Sequence, residues 1–380
     1  MEAFRKSGDG TKDPDMRRIS KLRSYIMRQT MQCVSDGAYH LLDQITCVKL
    51  KLSDPTKTFK VSYVMPTLQP SLWNYSQPLC VEVVQRDILE VANEFARMND
   101  NIGKTTKHRV AVLNMASQSQ PGGSYLSGAG AQEENLHRRS DLYRFLAENG
   151  KSFYPLGNSA LVSEDVSIFR SAEAHGYAML PAPFKVCVIT CAAPNRPDLC
   201  WHRRRSPMGP VLTTASRMQM KRRITTIFTA AKRSECDIVL LSAFGCGAFK
   251  NPPRDVAEIF HEVLTTEFHS VFSKIIFCIF DDHNGRRQHN PEGNFKPFHD
   301  VFHRYPTVPK AADQHDGTAM KVRKTKGPLD GECVDSSESE TSSCTHDLYR
   351  RRGNRSRSRT SVGVVLRVCL FSCVVLFHCA

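Results

Sequence analysis

Two adjacent carboxylates, Glu133 and Glu134, follow directly on a glycine-rich loop that runs from Gly122-Gly123-Ser124 through Gly128-Ala129-Gly130 to Gln132. Without a Cβ, glycine lets backbone N–H groups approach a phosphorylated ligand closely. A carboxylate at the edge of such an anion site is placed to act on a glycosidic bond or a ribose hydroxyl. Loop and acids together point to chemistry on a nucleotide sugar. A second candidate turn is Ser242-Ala243-Phe244-Gly245-Cys246-Gly247-Ala248-Phe249-Lys250-Asn251, with Pro252 and Pro253 behind it. Two such loops at the ends of two strands can hold the two phosphates of a diphosphate between them, with helix N-termini adding favourable dipoles. Read alone, Glu133 and Glu134 could equally be favourable charges at a helix start. Gly245 and Gly247 could equally be a tight turn, and Asn114 a strand-end turn residue.

The elements that must position these residues are visible in the hydrophobic patterning. Val110-Ala111-Val112-Leu113-Asn114-Met115 reads as a buried parallel strand leading into the first loop. Val186–Thr190, Ile238–Leu241 and Ile275–Phe280 read the same way, and Phe59–Val64 as a further strand. Helical spacing predicts helices over 81–98, 131–148, 218–232 and 256–264. Alternation of strands and helices implies βα units, and therefore an α/β fold with a largely parallel sheet covered on both faces. Ligands in such sheets bind at the carboxyl ends of the strands, where both glycine loops fall.

The chain has 380 residues, a formal net charge of +14 and 41% hydrophobic residues, a share that implies sizeable disordered parts. Residues 1–30 are expected to be disordered, 31–307 to form the catalytic domain with its core motifs in 110–285, and 308–360 to be a polar, basic linker. Residues 361–380 form a hydrophobic tail. Six arginines between Arg350 and Arg359, with no acid among them, read either as a polyanion contact or as a solvated tail. The apolar tail, interrupted by Arg367, reads as a membrane association or as an interfacial segment. Residues 1–18 show no secretory signal, so the fourteen cysteines are expected to be reduced in a cytoplasmic or nuclear setting. Cys200-Trp201-His202 and the pair Cys187 and Cys191 make no recognised ligand pattern, so neither a metal nor another cofactor is expected. His283 and His289, beside Asp281 and Asp282, are read as surface residues.

The motifs resemble the microbial-type poly(ADP-ribose) glycohydrolase family. The resemblance rests on Leu113-Asn114-Met115-Ala116-Ser117, Pro121-Gly122-Gly123, Ala131-Gln132-Glu133-Glu134, Ala192-Ala193-Pro194-Asn195 and Gly245 through Pro253, and it covers about residues 80 to 285. It implies a macrodomain-like mixed sheet between helices, with poly(ADP-ribose) or ADP-ribosylated proteins as partners. It also implies reversal of ADP-ribosylation, as in the DNA damage response. The family signature has three glycines; here Ser124 stands third, and a serine at negative φ fits there. By position, Glu134 is the implied acid and base, its carboxyl raised by burial or by Glu133. Glu133 orients ribose hydroxyls, and Asn114 contacts the ribose from the far side. Gly122, Gly123, Ser124, Gln132, Gly245, Cys246, Gly247 and Ala248 line the substrate, and Phe249 packs against the terminal ribose. The competing reading is an ADP-ribose-binding module without turnover.

Overall fold

The computed structural model describes residues 14–64, 79–101, 107–200, 209–281 and 287–304, all within one compact unit, Met1–His315. The linker 308–360 and the hydrophobic tail 361–380 lie outside the described residues. Among the described residues no helix is long and apolar enough to cross a membrane.

The chain opens with helix α1 (Pro14–Asp36), followed by the small hairpin of β1 (Ala38–His40) and β2 (Cys47–Lys49). Next come β3 (Phe59–Ser62), β4 (Cys80–Val84), α2 (Ile88–Asn101) and β5 (Val110–Met115). Helices α3 (Gln132–Arg139) and α4 (Leu142–Phe153) precede β6 (Ser159–Arg170) and β7 (Met179–Cys191). A two-strand ribbon, β8 (Leu199–Cys200) with β9 (Val211–Leu212), leads to α5 (Thr214–Arg233), β10 (Ile238–Leu241), α6 (Pro253–Thr266), β11 (Lys274–Cys278) and α7 (Phe295–Arg304). The main sheet has seven strands in the order β3-β6-β7-β5-β10-β11-β4. The five strands from β7 to β4 pair in parallel, and β6 and β3 add antiparallel at one edge. The expected largely parallel α/β sheet is therefore present, as a mixed sheet between helices.

Strand alternation sorts the core onto two faces. Leu113, Ile189 and Val239 pack with Ile224, Phe228, Phe260 and Phe298 of α5, α6 and α7. Val112, Val188 and Leu240 pack with Leu89, Leu136, Leu142 and Phe145 of α2, α3 and α4. The site residues stand at the carboxyl ends of β5, β7 and β10, three adjacent strands.

Three expectations need correction, and one strand has no expectation to match. Residues 14–30 are not disordered but belong to α1, whose buried stripe of Arg23, Ile26, Met27, Thr30 and Val34 packs inward. The helix expected over 81–98 is β4 followed by α2. The break falls at Asp87, whose Oδ1 accepts the N–H groups of Leu89 and Glu90 and so caps α2. The helix expected over 131–148 divides at Ser140 and Asp141. There Asp141, buried at the break, accepts the N–H of Ser167 from β6 (2.8 Å). Strand β6 itself has no counterpart among the expected elements.

Candidate functional site

The site is built from the first turn of α3 upward. Gln132 Oε1 accepts the N–H of Met115 (2.8 Å) and its Nε2 donates to the carbonyl of Leu113 (2.6 Å). Gln132 was expected to touch substrate; both ends of its amide instead fasten α3 to the end of β5. Glu133 is 3% exposed, and its two oxygens accept the N–H groups of Ser117 (2.7 Å) and Gly122 (3.1 Å). One buried carboxylate thus ties the segment just after β5 to the start of the first loop. Burial pushes the Glu133 carboxyl up to about 8, and the neighbouring Glu134 adds to the rise. The N–H groups of Ser117 and Gly122 and the Asn114 amide act in the opposite direction. Glu134 is equally enclosed. Its Oε1 accepts the N–H of Ser124 (3.0 Å), while its Oε2 is buried and finds no partner among the described residues. Both acids lie in the first helical turn, where the helix dipole favours negative charge.

The two glycines leave room for side chains of α3. Gly123 has φ +56, and a Cβ there would stand 2.6 Å from Glu134 Oε1 and 3.0 Å from Glu133 Oε2. Gly122 has φ +74, and a Cβ there would stand 2.7 Å from His137 Nε2. Ser124 has φ −107, an ordinary value for an L-residue, so the place of a third glycine is filled without strain. His137 was not found in the sequence. It is fully buried one turn along α3, its Nδ1–H donates to the Glu133 carbonyl (2.8 Å), and its ring lies 4.9 Å from that of Tyr125. Burial pushes it down to about 4, which keeps the imidazole neutral beneath the loop. Only its i, i+4 spacing from Glu133 could have pointed to it.

Asn114, at the end of β5, is fully buried. Its Nδ2 donates to Thr190 Oγ1 on β7 (3.2 Å), and its Oδ1 has no partner among the described residues. Two unpartnered buried oxygens, Asn114 Oδ1 and Glu134 Oε2, are therefore carried by the elements that form this site. Such atoms are costly unless a ligand or water meets them.

The second turn is held by scaffold rather than by acids. Gly245 has φ +73, and a Cβ there would run into Ala193 Cβ and stand 2.7 Å from Asn251 Nδ2. Asn251, fully buried, donates its Nδ2 to the carbonyls of Pro194 (2.8 Å) and Gly245 (3.0 Å), joining the loops after β7 and β10. Cys246 was expected among the substrate contacts, but its side chain is fully buried in the core. Only its backbone is left to face a ligand. Gly247 is half-buried and Ala248 exposed; Phe249 is half-buried against the core, and its carbonyl accepts the N–H of Arg196 (2.8 Å). His289 is not a surface residue: it is 8% exposed and its Nε2–H donates to the Cys246 carbonyl (2.9 Å). His283 and Asp282 lie outside the described residues. Arg223 of α5, also missed in the sequence, donates to the Ala192 carbonyl (2.7 Å) and reaches Gln118 Oε1 (3.5 Å), bracing the loops after β7 and β5. Among the described residues no group of three His, Cys, Asp or Glu side chains could hold a metal ion.

Residues 27–171 match the family model described as microbial-type PARG, catalytic domain. No curated protein sequence matches the chain. The fold is similar to that of poly(ADP-ribose) glycohydrolase from Thermomonospora curvata bound to the inhibitor ADP-HPD. That match has 25% identity and a TM-score of 0.56, and covers 74% of this chain and 99% of that one. A second structure of the Thermomonospora curvata protein matches with 26% identity, the same coverage and a TM-score of 0.56. The Deinococcus radiodurans protein in complex with ADP-ribose matches with 28% identity over 60% of this chain and 85% of that one, at a TM-score of 0.48.

Proposed function

We propose that this chain is a poly(ADP-ribose) glycohydrolase of the microbial type, with Glu134 as its acid and then its base. Support comes from the family model over residues 27–171 and from the likeness to the Thermomonospora curvata glycohydrolase along nearly its whole length. The observation that carries the catalytic assignment is the Glu134 carboxylate, with one oxygen fixed by the Ser124 N–H and the other buried and free.

The bond cleaved is the ribose–ribose O-glycosidic bond of the polymer. Glu134 gives a proton to the leaving ribose oxygen as the C–O bond breaks, and positive charge develops on the remaining ribosyl carbon. The substrate's own diphosphate, held between the two glycine turns, offsets that charge. Water then adds its oxygen to the ribosyl carbon and returns a proton to Glu134, and free ADP-ribose leaves. The oxygen that meets the leaving group is Glu134 Oε2, buried and without a partner among the described residues, because Glu134 Oε1 and both oxygens of Glu133 already accept backbone N–H groups. Glu133 sets the loop and directs its remaining lone pairs to ribose hydroxyls. Asn114 Oδ1 accepts from the ribose on the far side, and Phe249 packs against the terminal ribose.

The deciding experiment compares parent and Glu134→Gln on poly(ADP-ribosyl)ated protein, reading free ADP-ribose. Release by the parent and none by the variant, with ADP-ribose binding kept in both, is the expected result. Tight ADP-ribose binding without release by the parent would leave the non-catalytic module as the correct reading.

A further inference from the structure

Helix α1 has two chemically different faces. Its inner face touches the first glycine loop: Ser20 Oγ donates to the carbonyl of Ser127 (2.9 Å), and a Cβ on Gly128 would meet the Ser20 carbonyl oxygen. Lower down, Arg23 pairs with Glu173 (2.8 Å) and Thr30 donates to the carbonyl of Arg138 (2.7 Å). Its outer face carries Arg17, Arg18, Lys21, Tyr25 and Arg28, all exposed. At about 100° per residue these five fall within an arc of roughly 100°, a stripe about 16 Å long opposite the buried stripe. Arg17, at its near edge, is about 60° round the helix from Ser20.

The stripe carries four cations and one aromatic ring. Tyr25 is 51% exposed, with its hydroxyl accepting from Gln29 Nε2 (3.0 Å) and its ring open to solvent. Arg18 has a loose, solvent-exposed pair with Asp15 (3.8 Å). Among the described residues no acid pairs with Arg17, Lys21 or Arg28. On α5, by contrast, Arg217 and Lys221 are paired with Glu258, Glu262 and Glu267. A row of four cations, three of them without an acidic partner among the described residues, with an interleaved ring matches a strand of phosphates and bases.

We propose that the outer face of α1 binds units of poly(ADP-ribose) beyond the one in the cleft, with the cations on diphosphates and Tyr25 stacked on a base. The inference rests on the glycohydrolase reading and adds a polymer-binding surface to it. The surface gives the protein a preference for chains over single units, and its charge makes that preference dependent on salt.

The test uses the full chain, its quadruple variant Arg17→Gln, Arg18→Gln, Lys21→Gln and Arg28→Gln, and Tyr25→Leu. Affinities for purified long poly(ADP-ribose) and for ADP-ribose are measured across a salt series. The quadruple variant should lose about tenfold or more in polymer affinity at low salt, and its log–log salt slope should fall by about 3. ADP-ribose affinity, and the rate of release from short oligomers, should match the parent. Tyr25→Leu should lose about fivefold in polymer affinity with the slope unchanged. An unchanged slope, an equal loss for ADP-ribose, or single-stranded RNA competing as well as polymer of equal length would each overturn the proposal. A parent that binds polymer with the predicted slope yet releases no ADP-ribose would sink the glycohydrolase reading and leave this surface standing.

Discussion

The two glycine turns look alike in sequence and differ in what their glycines face. At the first, the absent Cβ makes room for chemistry: Gly123 lies against the oxygens of Glu134 and Glu133, and Gly122 against His137. At the second, the absent Cβ makes room for scaffold: Gly245 lies against Ala193 and Asn251. On the proposed function, one turn is shaped by the groups that react and the other by the groups that hold a binding surface in place. Changes at the first should therefore appear in kcat, and changes at the second in binding and stability.

The largest expected effect is that of Glu134→Gln, which keeps shape and removes the transferable proton. A loss of about 10²- to 10⁴-fold in kcat, with ADP-ribose affinity near that of the parent, is expected from rapid-quench assay and calorimetry. Next is a matched pair of alanines. Gly123→Ala drives a Cβ into Glu134 Oε1 and should cost about 10²-fold in kcat, because a misplacement of about 1 Å is enough for that. Gly245→Ala drives a Cβ into Ala193 and should weaken ADP-ribose binding and lower the melting temperature while kcat at saturation holds. Equal kcat losses in the two variants would erase the distinction between the turns.

Titration sharpens the comparison, because Glu133, at about 8, is anchored to the first turn. The unfolded chain releases this proton near the ordinary carboxyl value of about 4.3, so the folded chain holds an extra proton between there and 8. Stability from this group is complete at low pH and is lost as pH rises through 8. Asp141, raised by burial to about 6, has the same sign but acts lower, and His137 acts with the opposite sign between about 4 and 6.5. In the window from about 6.5 to 8 Glu133 dominates; the thiols of Cys191, Cys246 and Cys278, pushed up by burial, act with the same sign only as pH nears the ordinary thiol value of about 8.5. Urea unfolding should show the parent less stable at pH 8 than at 6.5 by up to about 2 kcal/mol, and Glu133→Gln should lack that part of the slope. A slope that survives the substitution would place the extra proton elsewhere.

The strand-to-loop segments were legible because β5 and β10 are short apolar runs buried on both faces, and glycines follow each within a short loop, Gly122 after Met115 and Gly245 after Leu241. Family resemblance supplied the order of the motifs. What stayed hidden had no simple period. α1 reads as polar because its outer face is basic and its inner stripe includes Arg23 and Thr30, buried only through Glu173 and the carbonyl of Arg138. β6 is interrupted by Ser163, Glu164 and Asp165 at an irregularity in its register with β7. Gln132 carries the correct motif position yet serves β5, a distinction that depends on which atoms its amide reaches. Arg223, His137 and His289 act through single long-range contacts, which spacing in the chain does not encode.

His289 supplies the smallest prediction. Its Nε2–H pulls the Cys246 carbonyl to one side, and in a trans peptide the next N–H, that of Gly247, points the opposite way. On the proposed function, that fixed Gly247 N–H is the donor offered to the diphosphate at the second turn. His289→Phe removes the donor and leaves a buried carbonyl unmet, at a cost of about 1 kcal/mol. ADP-ribose affinity should fall a few-fold while kcat at saturation stays with the parent, and His289→Gln, which keeps a donor, should recover part of the loss. Burial holds the His289 imidazole below its ordinary range, so the parent's binding should not change as pH crosses the usual histidine value. A variant that lost kcat and kept affinity would mean that the second turn also shapes the reacting groups, and the two turns would then share one task.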